Sequence, residues 1–509
     1  MTDTSIASLI SHFAQTDKTY AVINPTSAKR IYDLPQLSAE QVALEVDRAR
    51  DAQADWAAMA VFERANVMLK LHDLMLKNED KLLDLLQLET GKARAHAVEE
   101  FAGAIGATRY YAKIADKALS IKKAKTGVPV LLKSFVSQVP VGVVGVITPW
   151  NYPLALAMMD VIPAIMAGNS VVHKSDNQTS LVTLFARALA VEVGLPEDVW
   201  RIVVGDGGEV GNAVTDNVDY VAFTGSTATG RIVAGRAAAR LIGCSLELGG
   251  KNPAIVLSSA NIKKAAAIVA AGAFGNTGQL CVALSRIYVP NTFKAEFETE
   301  LVEVVESLRV GKSNDFEFDI GSLTSAAQLA RVEKFVNDAK NKGAKVLTGG
   351  RALPEIGPYF YQPTVVTDIG ADVLMRCDEV VGPVVGIYGY DDIDEAIDMA
   401  NDSDYGLNSS IIGNRKEAVR LSHFMQSGGV NINEGYRATF ASFGAPMGGF
   451  KLSGVGRRAG VGGLLRYTEA RTVGVAKTVL GIGLPLNARG WKRMAPLMDV
   501  LAKILRRLP

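Results

Sequence analysis

Cysteine is nearly missing from this chain. Cys244, Cys281 and Cys377 are all it has in 509 residues. An odd count at such wide spacing excludes a paired disulfide framework, and Cys244 and Cys377 lack the close Cys or His neighbours a zinc site needs. No metal is expected, and a reducing, cytoplasmic setting is. An excess of one charge is missing too: 54 Lys and Arg face 53 Asp and Glu, a formal net charge of +1. No global field steers the chain to nucleic acid, and no basic stripe with interleaved aromatics occurs. Histidine is scarce, with five, and none stands where a Cys–His hydrolase would need it. The opening "MTDTSIASLI" carries Asp3 and no basic segment leading into an apolar one, so no signal peptide is expected. Long apolar runs are also lacking. Ser134 to Met159 is free of charge, but Pro140, Pro149 and Pro153 with Gly142 and Gly145 break any spanning helix there.

What is present is a core-rich globular composition, 48% hydrophobic and 21% charged. The length asks for two to three lobes. Short β-branched runs alternate with helical periods. "VGVVGVI" (141–147), "WRIVVG" (200–205), "VDYVAFTG" (218–225) and "CSLELGG" (244–250) read as buried strands. Between them, Leu181, Leu184, Phe185, Ala188 and Leu189 share one helical face, which stops at Gly194 and Pro196. Such alternation predicts a doubly wound α/β sheet. The pattern restarts after Lys251 with "NPAIVL", "KKAAAIVAAGAF" and "SRIYVP", so a second α/β lobe begins near Leu248. Its end is expected at the glycine-rich "GAPMGGFKLSGVGRRAG" (444–460).

Several stretches carry candidate chemistry. Cys281 ends "AAGAFGNTGQLC", where Gly272, Gly275 and Gly278 permit close approach and a donor-rich loop favours a thiolate. The alternative is a buried, inert Cys. Glu247 lies at the carboxyl end of its strand, between Leu246 and Leu248 on the opposite side, a fit position for a general base. The alternative is a surface acid paired with Lys251. Asn151 in "ITPWNYP" is held by two prolines, as an oxyanion donor should be. Lys174 closes a strand in "VVHKSDNQTS", placed to meet a ribose or phosphate, or simply solvated. Gly225, Ser226 and Gly230 in "FTGSTATG" follow a strand and open a helix, a place for a pyrophosphate, though the spacing is not G-x-G-x-x-G.

"PWNYP", "HKSDNQT", "FTGSTATG", "ELGGKNP", "GNTGQLC", "DEVVGPVV" and "GAPMGGFKLSG" occur in this order, and together they resemble the aldehyde dehydrogenase superfamily from about residue 22 to about 475. The resemblance implies Cys281 as nucleophile, Glu247 as general base, and Asn151 with the Cys281 N–H as oxyanion hole. It implies dinucleotide contacts from Trp150, Asn151, Lys174, Ser175, Asp176, Asn177, Gly225, Ser226 and Leu248, and from Glu379 to the nicotinamide ribose. It implies a Rossmann-type cofactor lobe (1–124 and 140–247, with 448–468 returning), a catalytic lobe (248–447) and a β oligomerisation arm (125–139 and 469–480). A homodimer or homotetramer is expected. Many NAD-preferring relatives have a glutamate at the place of Asn177, where a carboxylate repels a 2′-phosphate and an amide does not. NADP is therefore expected, with NAD also accepted.

"LLDLLQLETGKAR", "RLIGCSLELGGKNP" and "PMGGFKLSGVGRR" most resemble NADP-linked succinate-semialdehyde dehydrogenases of actinobacterial type, so the resemblance implies oxidation of succinate semialdehyde to succinate as the first expectation. Relatives of that activity hold the substrate carboxylate with arginines at places that are here Gly275 and Met159. Arg437 in "NEGYRATF" is the remaining candidate cation. Without it, an aromatic or fatty aldehyde is the better substrate. A non-redox cysteine hydrolase or acyltransferase is the reading from another class. The stretch 488–509 predicts a basic amphipathic helix, with Leu497, Val500, Leu501, Ile504, Leu505 and Leu508 at helical spacing. Arg489, Lys492, Arg493, Lys503, Arg506 and Arg507 face Asp499 alone. Such a helix either lies on an anionic membrane or docks on protein.

Overall fold

The computed structural model describes residues 3–13, 16–127, 131–477, 485 and 487–506. Residues 128–130 and 478–480 of the expected arm, and 507–509 of the expected last helix, with Arg507 and Leu508, lie outside the described residues. The chain divides into two compact units, Met1–Ala118 with Pro140–Tyr467, and Leu119–Val139 with Thr468–Pro509.

The first unit holds two large sheets. One has six strands, and its central five are parallel: Val143–Ile147, Ser170–Lys174, Trp200–Val203, Tyr220–Thr224 and Gly243–Glu247. The first four of these are buried at every residue, as continuous apolar runs between helical layers require. The sixth strand, Gly454–Val455, returns antiparallel and sets Gly454 opposite Glu247 and Val455 opposite Leu246. The other sheet has seven strands within 252–432, and its parallel core runs through Asn252–Val256, Leu284–Pro290, Val384–Tyr390 and Asn408–Ile412. Its largest apolar cluster joins Val256, Val269, Phe274, Ile287 and Phe297 at 0–1% exposure, which fastens helix Ile262–Phe274 to the sheet.

Local signals set the helix ends. Ser38 closes a capping box with Gln41, Gly91 ends Glu79–Thr90 in the left-handed region, and the Ser226 side chain caps Thr227–Ala239. The second unit contains a three-stranded sheet in which Leu132–Pro140 lies between Lys122–Ala124 and Thr468–Ala476. It also holds helix Ala488–Leu505.

Candidate active site

Parallel strands deliver their carboxyl ends to one edge of a sheet, and ligands of such sheets collect there. Strand Val143–Ile147 runs into Pro149, Trp150 and Asn151, strand Tyr220–Thr224 into Gly225 and Ser226, and strand Gly243–Glu247 ends on Glu247 itself. These residues, with Leu248, Cys281 and Glu379, line one cleft of about 220 Å³. Gln328 and Arg331 line it as well, and the sequence reading missed both. They sit on helix Ala326–Asn341, where Gln328 donates to the Val381 carbonyl and Arg331 to the Glu379 carbonyl.

Cys281 follows a tight turn, Gly275–Gly278. Asn276, Thr277 and Gly278 lie in the left-handed region at φ 49°, 57° and 68°, which stores strain at two side-chain-bearing residues. Amides hold the turn. Asn151 Nδ2 donates to the Gln279 carbonyl at 2.9 Å, and Gln279 Oε1 accepts from the Thr324 N–H at 3.0 Å. The glycines permit close approach by other parts of the chain. A Cβ on Gly272 would stand 2.9 Å from Gly435 Cα, one on Gly275 2.5 Å from the Tyr436 hydroxyl, and one on Gly278 2.1 Å from the Gly382 carbonyl.

Burial, then the charges of Glu379 and Glu247, push Cys281 up to about 12. The donor-rich surroundings read from sequence spend their N–H groups on backbone carbonyls. Glu247 is 5% exposed, and burial raises its carboxyl to about 7 against the opposing charges of Arg458 and Arg466. Its pairing with Lys251 does not occur. Lys251 is buried with an unpartnered Nζ, and burial lowers it to about 7. Arg458 instead reaches the strand beside that of Glu247, donating to Thr224 Oγ1 at 2.6 Å, and Thr224 lies opposite Glu247 in register.

Asn151 is braced from below. Lys92 Nζ donates to the Asn151 carbonyl at 2.8 Å and pairs with buried Glu100, whose Oε1 accepts from the Leu154 and Ala155 N–H groups at the start of helix Pro153–Met166. The paired acids of "AVEEFAGAIG" on a helix otherwise rich in small residues were the available sign of this role.

Lys174 to Asn177 continue from the strand beside Ile147. Lys174 is 7% exposed, and its Nζ has a single hydrogen bond, to the Ser175 carbonyl. Ser175 turns inward onto Thr183 Oγ1, which removes its hydroxyl from the expected contacts. Asp176 Oδ1 accepts from the Gln178 N–H at 2.9 Å and caps the next turn. Asn177 Oδ1 accepts from the Gly205 N–H at 2.9 Å. Glu379 Oε1 accepts from the Gly250 N–H, and burial raises this carboxyl to about 6.

On its other side Cys281 packs against an apolar cluster with Tyr152, Leu156, Leu407, Tyr436, Phe440 and Met447. The Tyr152 and Phe440 rings meet edge-on at 6.2 Å. Arg437 does not stand free for an anion. Its Nε donates to Glu99 Oε2 at 2.9 Å, while the Tyr436 hydroxyl donates to Glu99 Oε1 at 2.6 Å. Among the described residues no cluster of three or more His, Cys, Asp or Glu is placed to hold a metal ion.

The arrangement joins a half-buried thiol, a carboxyl near neutrality, a fixed amide and a strand-end cleft, the parts of covalent acyl chemistry. Comparison with known proteins places it. A protein of Mycolicibacterium smegmatis, provisionally named an NADP(+) succinate-semialdehyde dehydrogenase, is 45% identical over 482 residues, 94% of this chain and 93% of its own. The structure of an Escherichia coli NADP-dependent enzyme matches at TM-score 0.87 and 31% identity, over 90% of this chain and 95% of that one. An aldehyde dehydrogenase of Bacillus cereus in complex with NAD+ matches at 0.86 and 33%, over 91% and 94%. The model of the aldehyde dehydrogenase family spans residues 12–473. The chain belongs to the aldehyde dehydrogenase family.

Proposed function

We propose that this protein oxidises an uncharged, apolar aldehyde to its carboxylic acid and takes NADP ahead of NAD. The observation that carries the substrate reading is the wall around Cys281: aromatic and aliphatic side chains, with Arg437, which follows Tyr436 of that wall, engaged by Glu99. A carboxylate entering that wall without a partner loses its hydration uncompensated, a cost of at least about 1–3 kcal/mol. A second reading, succinate semialdehyde, is favoured by the name of the Mycolicibacterium relative.

The residues present fit a dinucleotide. Lys174 Nζ is buried with two of its three donors unspent, Asn177 has its Oδ1 committed and its Nδ2 amide unspent, and the Ser226-capped helix start faces the cleft edge. An amide at 177 is compatible with a 2′-phosphate, which a carboxylate would repel. When bound, the oxidised nicotinamide supplies the hydride acceptor.

This chain does the rest. Cys281 Sγ, its proton given up to solvent, attacks the aldehyde carbon. The Asn151 amide and the Cys281 N–H take the developing oxyanion. After oxidation the carbon is held as a thioester on Cys281, and Glu247 takes a proton from the water that releases the acid. Lys92 and Glu100 keep Asn151 in place through the backbone on both sides of it.

The test is a panel of benzaldehyde-type, long-chain and succinate semialdehydes with NADP and NAD, read by reduced-nicotinamide absorbance. Apolar aldehydes are expected to give the higher kcat/KM, and Asn177→Glu to move the preference from NADP towards NAD. Succinate semialdehyde as the best substrate would establish the second reading, and no signal with any aldehyde would remove the dehydrogenase reading altogether.

A further inference from the structure

Helix Ala488–Leu505 puts large apolar side chains in solvent while the two big sheets bury theirs. Trp491, Leu497, Met498 and Val500 are 40%, 68%, 45% and 54% exposed, all within ten residues. The sequence orders them. Trp491, Met494 and Met498 recur at helical spacing with Leu497 beside them, so they share a face. Arg489, Lys492, Pro496, Asp499, Lys503 and Arg506 follow the same i, i+3, i+4 spacing around the opposite side. Pro496 strengthens the division. It frees the Lys492 carbonyl from its helical bond, and that carbonyl lies on the polar side, where water satisfies it.

The charge on this helix is one-sided in a protein that is otherwise balanced. Arg489, Lys492, Arg493, Lys503 and Arg506 stand against Asp499, and none makes an ion pair among the described residues. A helix docking on ordinary protein surface gains little from five like charges unless acids meet them. An anionic lipid surface meets all of them together and takes the apolar face into its acyl boundary. Eighteen residues make a rod of about 27 Å, and no described helix is long and apolar enough to cross a membrane. The geometry is that of a helix lying in the interface.

We propose that helix Ala488–Leu505 is an interfacial anchor that binds anionic phospholipid through its Trp491–Met494–Leu497–Met498 face and its basic flank. The anchor is independent of which aldehyde the active site takes, and vesicle binding is read separately from turnover. The experiment is cosedimentation of the full chain with vesicles of phosphatidylcholine alone or with one-third phosphatidylglycerol, alongside analytical ultracentrifugation without lipid. Wild type is expected to pellet with the anionic vesicles only and to be released by raised salt. Leu497→Asp with Met498→Asp, and separately Lys492→Glu with Arg493→Glu, are expected to lower the bound fraction about tenfold or more. Both double variants keep wild-type turnover of a water-soluble aldehyde, which shows that they fold. Failure of wild type to bind anionic vesicles at low salt overturns the proposal. So does binding that neither double variant weakens. A drop in oligomer size for the Leu497→Asp, Met498→Asp variant with vesicle binding intact assigns the face to a second copy of the chain instead.

Discussion

Glu247 and Cys281 line one cleft but hold their protons very differently, at about 7 and about 12. A carboxyl raised by burial is protonated below its shifted value and works as a base only above it. Thioester hydrolysis is therefore expected to rise through pH 7 and level off above it, and Glu247→Gln to lose that limb. The variant should keep a first burst of reduced nicotinamide while steady turnover falls about 10²–10⁴-fold, read by stopped-flow absorbance. Equal loss of both phases would deny Glu247 the hydrolytic step. Glu99 sets a second residue-scale expectation. With Glu99→Gln, Arg437 loses the nearer of its two ionic partners, leaving Glu434 Oε1 at 3.8 Å, and becomes available to a substrate carboxylate. The kcat/KM ratio of succinate semialdehyde to benzaldehyde should rise about ten- to hundredfold, the worth of a charged hydrogen bond. An unchanged ratio would mean that Arg437 does not reach the substrate. Glu247 stood out in the sequence because a strand-end acid before two glycines is a local pattern. Glu99 did not, since its partners Tyr436 and Arg437 lie 337 and 338 positions away.

At the scale of the element, the turn Gly275–Gly278 depends on what crosses it. Its glycines announced a permissive backbone, and the backbone is left-handed at Gly278. The reason for Gly275 lies in Tyr436, whose hydroxyl fills the place of a side chain there and donates to Glu99. Gly275→Ala is expected to push Tyr436 aside, cost about 1–3 kcal/mol as overpacking does, and lower turnover with KM for aldehyde raised. Adding Tyr436→Phe removes the clashing oxygen, so the double variant should recover much of the melting temperature that the single one loses. If the two losses simply add, the contact is not the cause. Gly278→Ala has no such rescue, because its obstacle is the Gly382 carbonyl and its φ is 68°. The alternation of strands and helices was readable throughout, since fully buried parallel strands are continuous apolar runs. The return of Gly454–Val455 onto Leu246–Glu247 was not derivable from local pattern: a two-residue strand has no periodicity, and only the family resemblance led to an expectation that 448–468 comes back.

Across the larger unit, one buried carboxylate ties the returning segment to the sheet that carries the site. Asp160, 1% exposed on helix Pro153–Met166, accepts from Arg458 at 3.1 and 2.6 Å and from Arg466. Burial pushes its carboxyl up, but the two guanidinium charges outweigh that and hold it below the usual carboxylate range. A depressed acid stabilises the fold above its unfolded value and loses that contribution as pH falls through the folded one, so this clamp holds at neutrality and weakens only in acid below about pH 4. Arg458 also bonds Thr224, beside Glu247, so the clamp fixes the charge that opposes the raised carboxyl of the base. Asp160→Asn keeps the shape and removes the charge, leaving two buried arginines without a counter-ion. The expected loss is about 3–5 kcal/mol, seen as a lower melting temperature, whereas the exposed Asp372→Asn should change nothing measurable. The active site should register it as well. With Arg458 released from Asp160, its charge is free to act on Glu247, and the limb of the pH–rate profile near 7 is expected to shift to lower pH. A variant that melts earlier with an unshifted limb would separate the clamp's structural part from any influence on the base.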